Sequence, residues 1–298
     1  MSLTTEILYG KPVSLQLRQE LKNEISNLSN LGIIPGLAVV LVGEDAASQV
    51  YVRSKSRAFK KMACFSETFN LPENTSETEL CLLIDELNAS SKFHGILVQL
   101  PLPAHLDSKK ITRRILSRKD VDGFHPLNVG LLLEGQPQFI SCTPHGILKL
   151  MAYYGIKTNG KHAVIVGRSN IVGKPMFALL AEKMEYGNST VTICHTGTVD
   201  LSRYTSMADI LIVASGMPGL ITGNMISEGV HIIDVGINRI KDNSEKGYRL
   251  VGDVDYESIL GIAGSITPVP GGVGPLTITM LLYNTVLAAK KYTPVVKR

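Results

Sequence analysis

The sequence contains no tryptophan, and only four of its 298 residues are cysteine. These residues, Cys64, Cys81, Cys142 and Cys194, are far apart and form no Cys-x-x-Cys pair. Structural zinc sites and thioredoxin-like redox sites need closely spaced cysteines, so the pattern argues against both. We therefore expect reduced thiols, most of them buried, and no metal site.

Long apolar runs and clusters of like charge are also missing. No segment stays apolar for the roughly 18 residues that a membrane span needs, and the first residues show no basic region followed by an apolar stretch. We therefore expect a cytoplasmic protein without a membrane segment. The formal net charge of +4 is spread along the chain, so nucleic acid is not an expected partner, whereas an anionic small molecule is compatible.

The composition is that of a packed globular protein, with 44% hydrophobic and 19% charged residues. A length of 298 residues favours two domains, each with its own core. Short apolar runs alternate with segments of helical period, as parallel strands alternate with covering helices in doubly wound folds. We therefore predict an α/β protein. The predicted strands are residues 37–42, 96–100, 163–166, 191–194, 210–214 and 232–235.

The domain boundary is predicted near residue 142. Turn residues are concentrated in segments 120–130 and 135–138, which we interpret as the approach to a hinge. A helix-like segment, 146–154, would carry the chain into the second domain, and the apolar tail 276–290 predicts a long helix that packs back on the first. Residues 1–142 with 276–298 would then form one domain and residues 143–275 a Rossmann-like one, with a cleft between them.

A glycine turn follows the predicted strand at residues 163–166. Gly167 would let a ligand approach the backbone, and Gly173 and Pro175 fit the start of a helix. Free amides at such a helix start favour the pyrophosphate of a dinucleotide. The spacing is not Gly-x-Gly-x-x-Gly, so a plain tight connection is the alternative.

The residues around this turn favour NADP over NAD. NAD sites usually carry an acidic residue at the end of the second strand, where it binds the ribose hydroxyls. Here the second strand ends in His195 and Thr196, without a carboxylate, and Arg168 supplies a planar cation suited to a ribose phosphate. His195 could contact the cofactor or simply pack at the strand end.

Tyr51 and Lys55 are four residues apart in a helix-compatible run, which places a phenol and an amine on one face. Most pairs with this spacing belong to a solvated helix face. Two polar residues favour a site instead: Gln99 is a primary amide in an otherwise apolar strand, and Asp122 lies in a turn. Both fit the rule that open α/β sheets bind ligands at the carboxyl ends of their strands.

Five segments, in this order, resemble the bifunctional methylenetetrahydrofolate dehydrogenase/cyclohydrolase family. They are Tyr-Val-Arg-Ser-Lys (51–55), Gly-Ile-Leu-Val-Gln-Leu-Pro-Leu-Pro (95–103), Lys-Asp-Val-Asp-Gly (119–123), Gly-Arg-Ser-Asn-Ile-Val-Gly-Lys-Pro (167–175) and Thr-Pro-Val-Pro-Gly-Gly-Val-Gly-Pro (267–275). Each is weak alone, but segments 95–103 and 267–275 are specific. Together they span nearly the whole chain.

The resemblance implies two consecutive reactions on tetrahydrofolate one-carbon derivatives. Methylenetetrahydrofolate would give a hydride to NADP, and water would open the resulting methenyltetrahydrofolate to 10-formyltetrahydrofolate. The family resemblance also implies a homodimer built through the cofactor domain.

The resemblance further implies site residues. Lys55 would be the catalytic base or proton shuttle, oriented by Gln99 and Tyr51, and Asp122 would anchor the pterin ring. A lysine acts as a base only when neutral, so we expect its pKa to be lowered. The residues implied beside the folate are Gly271, Gly272, Gly274 and Pro275. Those implied for NADP are Thr143, Gly167, Arg168, Ser169, Thr196 and Ile237, with Ile237 against the nicotinamide.

The sequence departs from the family pattern at Ser141, where a proline is expected, and at residues 184–189, which look like an insertion. Three alternatives remain at this stage. The chain could be a two-domain dehydrogenase of a small hydroxy or amino acid, although no arginine partner for a substrate carboxylate is obvious near Lys55. It could be a nucleotide-binding regulator, or a family member that retains one of the two activities.

Overall fold

The computed structural model describes residues 4–243 and 247–293. The described residues up to Leu15 and the segment Thr143–Thr277 form one compact unit, which we name the glycine-turn unit. The segment Gln16–Cys142 and the described residues from Ile278 onward form the other, named the lysine unit. The ends of the predicted domains, residues 1–3 and 294–298, lie outside the described residues.

The described residues form ten α-helices and eleven strands. The helices are α1 (Gly10–Asn30), α2 (Ala46–Lys61), α3 (Glu77–Ala89), α4 (Ser108–Arg114), α5 (Pro126–Leu133), α6 (Cys142–Tyr153), α7 (Gly173–Ala181), α8 (Leu201–Thr205), α9 (Tyr256–Ile259) and α10 (Gly274–Tyr292). The strands are β1 (Glu6–Ile7), β2 (Gly36–Val42), β3 (Phe65–Leu71), β4 (Gly95–Val98), β5 (His162–Val166), β6 (Thr190–Cys194), β7 (Ile210–Val213), β8 (His231–Asp234), β9 (Asn238–Lys241), β10 (Tyr248–Val251) and β11 (Ser265–Ile266). The predicted α/β class is confirmed.

The lysine unit is built on a parallel sheet with the strand order β3-β2-β4. Side chains of β2 alternate between two apolar clusters, with Leu37 and Val39 in one and Ala38 and Val40 in the other. Both faces are buried because successive side chains of a strand point to opposite faces and helices cover each side. Tail residues from α10 join the first cluster, among them Met280, Leu281, Leu282 and Val286.

The glycine-turn unit contains a parallel sheet in the order β1-β11-β8-β7-β5-β6. Within the segment Thr143–Thr277, the sheet begins at β5, and β6 and then β7 are added on opposite sides of it. Such a reversal leaves a crevice beyond the carboxyl ends of β5 and β7, where doubly wound folds bind ligands. The amino-terminal strand β1 joins at the far edge by parallel pairing of Glu6 with Ser265, which explains why residues 4–15 belong to this unit.

All six predicted strands are present, within a few residues of the predicted limits. The predicted helices at 146–154 and 276–290 are also present, but they begin earlier, at Cys142 and Gly274. The turn-rich segment 120–130 is only partly a turn. Pro126 starts helix α5, and Nδ1 of His125 accepts a hydrogen bond from the amide of Leu127, 3.1 Å away. A proline in the first turn with a capping side chain before it is a helix start, which the turn interpretation missed.

All four cysteines are free, and Cys64, Cys142 and Cys194 are buried, as predicted. Within the described residues, no helix is both long and apolar enough to cross a membrane.

Candidate active site

Helix α2 carries the two residues that the four-residue spacing singled out. Asp45 starts this helix, because its carboxylate accepts a hydrogen bond from the amide of Ser48 at 2.7 Å. Lys55 lies half-buried in the middle of α2, and Tyr51 lies one turn earlier. The side chain of Tyr51 is 42% exposed and has no hydrogen-bond partner within the described residues.

Gln99 is the direct partner of Lys55. Oε1 of Gln99 accepts a hydrogen bond from Nζ of Lys55 at 3.0 Å, and Nε2 of Gln99 donates to the carbonyl of Leu100 at 2.7 Å. With its amide nitrogen held by a backbone oxygen, the carboxamide can present only its oxygen to the amine. Gln99 follows β4 directly rather than lying inside the strand. Its backbone amide still donates to the carbonyl of Val40 at 2.9 Å, as a residue of the strand would.

Asp122 lies in a turn next to β4, the edge strand that Gln99 follows. The turn is attached to β4 by a parallel bridge between Ile96 and Asp120, and it closes at Gly123 with a positive φ of 74°. A side chain at Gly123 would also collide with the amide of Ser141, 2.9 Å from the position of a Cβ atom. Only glycine therefore fits both the conformation and the space.

The charges of Lys55 and Asp122 influence each other, although within the described residues they form no direct ion pair. Burial lowers the pKa of Lys55, and the nearby carboxylate of Asp122 partly opposes this effect. Burial raises the pKa of Asp122 to about 6, and the amine of Lys55 opposes that shift. The lowered lysine pKa agrees with the requirement that a catalytic base be partly neutral.

Two further residues, which sequence reasoning did not place in the site, hold the Asp122 turn. The Sγ atom of Cys142 lies 3.8 Å from Oδ1 of Asp122. Asn284, on α10, is 1% exposed and donates from Nδ2 to the carbonyls of Val121 at 2.8 Å and Ile140 at 2.9 Å. Nδ2 also lies 3.8 Å from Sγ of Cys142. Nothing in the sequence marks Asn284, because all of these acceptors are distant along the chain and two of them are backbone atoms.

The glycine turn lies at the crevice of the other sheet. Gly167 has a φ of 126°, and a Cβ atom there would be 2.3 Å from the carbonyl oxygen of Ala214, which follows β7. Gly173 is similarly close-packed, with the carbonyl oxygen of Gly167 at 2.1 Å from its Cβ position. Both glycines are therefore required by the close packing of the backbone at this turn.

The hydrogen bonds of this turn differ in one respect from the prediction. Ser169 Oγ accepts from the amide of Val172 at 3.0 Å, and the carbonyl of Ser169 accepts from Lys174, so the start of α7 is already engaged. In the exposed loop before α7, the backbone amides of Arg168, Ser169, Asn170 and Ile171 have no acceptor within the described residues. Several unpaired amides in one turn, beside an exposed guanidinium, fit a pyrophosphate and a ribose phosphate.

The other predicted cofactor residues lie in the same unit. Thr196 is exposed just after β6, where His195 is engaged locally: its Nδ1 accepts from the amide of Gly197 at 3.0 Å. Ile237 is 47% exposed between β8 and β9. Thr143 shares a hydrogen bond with Thr277, with the two hydroxyl oxygens 2.9 Å apart.

The glycine-rich segment predicted beside the folate is tightly built. Gly271 has a φ of 117°, and its carbonyl accepts from the amide of Gly10 at 2.9 Å. A Cβ atom at Gly272 would lie 2.7 Å from Cβ of Thr267. Pro275 lies in the first turn of α10, where a proline is well tolerated.

Within the described residues, no group of three or more His, Cys, Asp and Glu side chains could hold a metal ion. The structure defines a two-unit α/β protein that has a half-buried lysine–carboxamide pair in one unit and a dinucleotide-type turn in the other.

Comparison with known proteins identifies the family. Residues 8–122 match the catalytic domain of tetrahydrofolate dehydrogenase/cyclohydrolase, and residues 141–293 match its NAD(P)-binding domain. The chain is 55% identical over 289 residues to the bifunctional protein FolD of Moorella thermoacetica, covering 97% of this chain and 100% of that protein. The chain therefore belongs to the tetrahydrofolate dehydrogenase/cyclohydrolase family.

Solved structures agree with this assignment. The bifunctional FolD enzyme of Campylobacter jejuni superposes with a TM-score of 0.91 at 48% identity, covering 97% of this chain and 100% of that one. The FolD enzyme of Trypanosoma brucei, solved with NADP and an inhibitor, gives a TM-score of 0.91 at 36% identity, covering 97% and 98%.

Proposed function

We propose that the protein oxidises 5,10-methylenetetrahydrofolate with NADP and then hydrolyses the methenyl product to 10-formyltetrahydrofolate. The observation that carries this proposal is the contact of 3.0 Å between Nζ of Lys55 and Oε1 of Gln99, together with a lysine pKa lowered by burial. This contact lies in a chain that belongs to the family in which both activities occur together.

Hydrolysis needs a group that removes a proton from water. Addition of water to the cationic methenyl carbon forms a C–O bond, opens the five-membered ring and releases one proton. Neutral Lys55 accepts that proton, and the cationic substrate itself lowers the lysine pKa further while it is bound. Gln99 holds the amine in position through its oxygen.

The carboxylate of Asp122 anchors the substrate. With a pKa of about 6, it is mostly ionised at neutral pH, so both of its oxygens accept hydrogen bonds from the N–H groups of a pterin ring. Tyr51 is exposed on the same helix face as Lys55 and offers an aromatic surface to the ring.

NADP would be held by the glycine-turn unit. Gly167 permits close approach, the unpaired amides of residues 168–171 would bind the pyrophosphate, and Arg168 would bind the ribose phosphate. Ser169, Thr196, Ile237 and Thr143 complete the proposed cofactor residues. Bound NADP supplies the hydride acceptor for the first reaction.

We also propose the remaining organisation from family membership. The lysine unit would bind the folate, and Gly271, Gly272 and Pro275 are further proposed folate-binding residues that belong to the glycine-turn unit. The protein would act in the cytoplasm as a homodimer without nucleic acid. Sedimentation of the purified chain across a concentration series measures the oligomeric state. A monomer at all concentrations would refute the dimer.

One experiment tests reaction, cofactor and second step together. Purified protein is mixed with methylenetetrahydrofolate and NADP, and the absorbances of NADPH and of methenyltetrahydrofolate are followed. We expect NADPH to accumulate while the methenyl signal rises and then decays faster than it does without protein. No NADPH would refute the dehydrogenase. NADPH with uncatalysed decay would refute the hydrolase and leave a member with one activity.

A further inference from the structure

A buried carboxylate that the proposed mechanism does not use lies in the glycine-turn unit. Asp253 is 0% exposed and follows β10. Its Oδ2 accepts from the amide of Ser215 at 2.6 Å, from the hydroxyl of Ser215 at 3.0 Å and from the amide of Gly216 at 2.8 Å. Its Oδ1 accepts from Nδ2 of Asn238 at 2.8 Å. A buried carboxylate with four donors is fully satisfied, and its position is fixed.

The donors belong to two segments, one at the carboxyl end of β7 and one next to Ile237, the residue proposed to lie against the nicotinamide. Ser215 and Gly216 follow β7 at the crevice, next to Ala214, whose carbonyl oxygen limits the space at Gly167. Asn238 begins β9 and directly follows Ile237, the residue implied against the nicotinamide. Asp253 therefore connects the carboxyl end of β7 to the segment that presents Ile237.

A second carboxylate fixes Asp253 itself. Asp234, at the end of β8, accepts from the amides of Asp253 at 3.0 Å, Val254 at 3.1 Å and Gly236 at 3.0 Å. Each of the two carboxylates packs against a glycine. A Cβ atom at Gly252 would lie 1.8 Å from Oδ2 of Asp234, and one at Gly236 would lie 2.1 Å from Oδ1 of Asp253. The hydrogen bonds and this close packing together hold the Asp253 carboxylate in a single position.

We propose that Asp253 is a positioning residue for hydride transfer, which holds the β7 end and the Ile237 segment in the arrangement that the nicotinamide requires. This inference rests on the proposed function. Small displacements at a reacting centre have large effects on rate, so the loss of this connection should slow hydride transfer. Methenyl hydrolysis depends on Lys55 and should not change.

The test uses the full chain and a set of matched variants. Asp253→Ala removes every acceptor, whereas Asp253→Asn keeps an oxygen for Ser215 and Gly216 and lets the Asn238 amide rotate to accept. Asn238→Asp places two carboxylates against each other, and Asn238→Asp/Asp253→Asn relieves that repulsion. Asp255→Asn, which alters an exposed acid two residues away, is the control.

For each variant, kcat and the KM for NADP are measured, with the isotope effect from deuterated methylene substrate and the rate of methenyl hydrolysis. We expect Asp253→Ala and Asn238→Asp to lower the dehydrogenase kcat by about 10- to 100-fold with a larger isotope effect on kcat. Hydrolysis should stay within about twofold of the unmodified protein, Asp255→Asn should behave like that protein, and the double variant should match Asp253→Asn.

A purely structural role would give a different pattern. Loss of folded protein lowers both activities in parallel and leaves the isotope effect unchanged, and that result would overturn the inference. So would an Asp253→Ala variant with normal hydride transfer, or a double variant as slow as Asn238→Asp. If Asp253→Ala does not fold, the comparison of Asn238→Asp with the double variant decides. Failure of the unmodified protein to reduce NADP would instead refute the proposed function.

Discussion

Nζ of Lys55 lies 3.0 Å from Oε1 of Gln99, while the other end of the same carboxamide is held by the carbonyl of Leu100. A neutral amide is the partner that a catalytic amine requires. A carboxylate in this position would stabilise the ammonium form, whereas an apolar residue would leave the amine unoriented. The charge that does act on Lys55, that of Asp122, comes from beyond direct ion-pair distance and only moderates the effect of burial.

Replacement of Lys55 by methionine should abolish methenyl hydrolysis. Methionine keeps much of the side-chain length but cannot accept a proton, so we expect a loss of about 10²-fold or more, the usual contribution of a general base. Dehydrogenation should be severely impaired as well, because the proposed mechanism places the amine at the reacting end of the folate. NADP binding, measured by calorimetric titration, should persist. Lys60→Met, an exposed position on the same helix, is the control; normal hydrolysis by Lys55→Met would contradict the assignment.

Substitutions of Gln99 should move the pH profile of hydrolysis in opposite directions. Gln99→Glu places a negative charge next to the amine and should raise the lysine pKa, which moves the rising limb of the profile to higher pH. Gln99→Leu removes an acceptor of the ammonium form and should move the limb to lower pH with a reduced maximum. The profiles are measured with methenyltetrahydrofolate as substrate, and identical midpoints in both variants would refute the role of Gln99.

Folate binding should weaken in mild acid. The pKa of Asp122, about 6, means that this carboxylate is ionised above that pH and becomes protonated below it. Protonation removes acceptor capacity from the group that we propose binds the pterin ring, so the KM for methylenetetrahydrofolate should rise by about tenfold per pH unit below 6. Asp122→Asn should show a high KM that no longer depends on pH in this range. A KM that is flat from pH 7 to 5 in the unmodified protein would contradict this role.

The sequence predicted those features that depend on local pattern. The apolar runs located β2 and the other central strands. The strand-end rule pointed to Gln99 and Asp122, and the family resemblance linked Lys55 to Gln99, the residue that it contacts. Strand β3, with the sequence Phe-Ser-Glu-Thr-Phe-Asn-Leu, was missed because it is a partly exposed edge strand with polar side chains. Asn284 and Asp253 were missed for another reason. Their partners are distant along the chain, Val121 lying 163 positions from Asn284 and Ser215 38 positions from Asp253, and many of them are backbone groups. Such bonds leave no local spacing in the sequence.

Arg168 should determine the preference for NADP. Its guanidinium is exposed beside the unpaired amides of the turn, and β6 ends without a carboxylate that would repel a ribose phosphate. A hydrogen bond to a charged group contributes about 1.5–3 kcal/mol, so Arg168→Leu should lower kcat/KM for NADP by roughly 10- to 100-fold and leave the value for NAD nearly unchanged. Arg203→Leu, which removes an exposed arginine from α8, serves as the control. A cation that binds the ribose phosphate must favour NADP over NAD, because NAD lacks this phosphate. Equal kcat/KM values for the two cofactors in the unmodified protein would therefore show that Arg168 does not bind it.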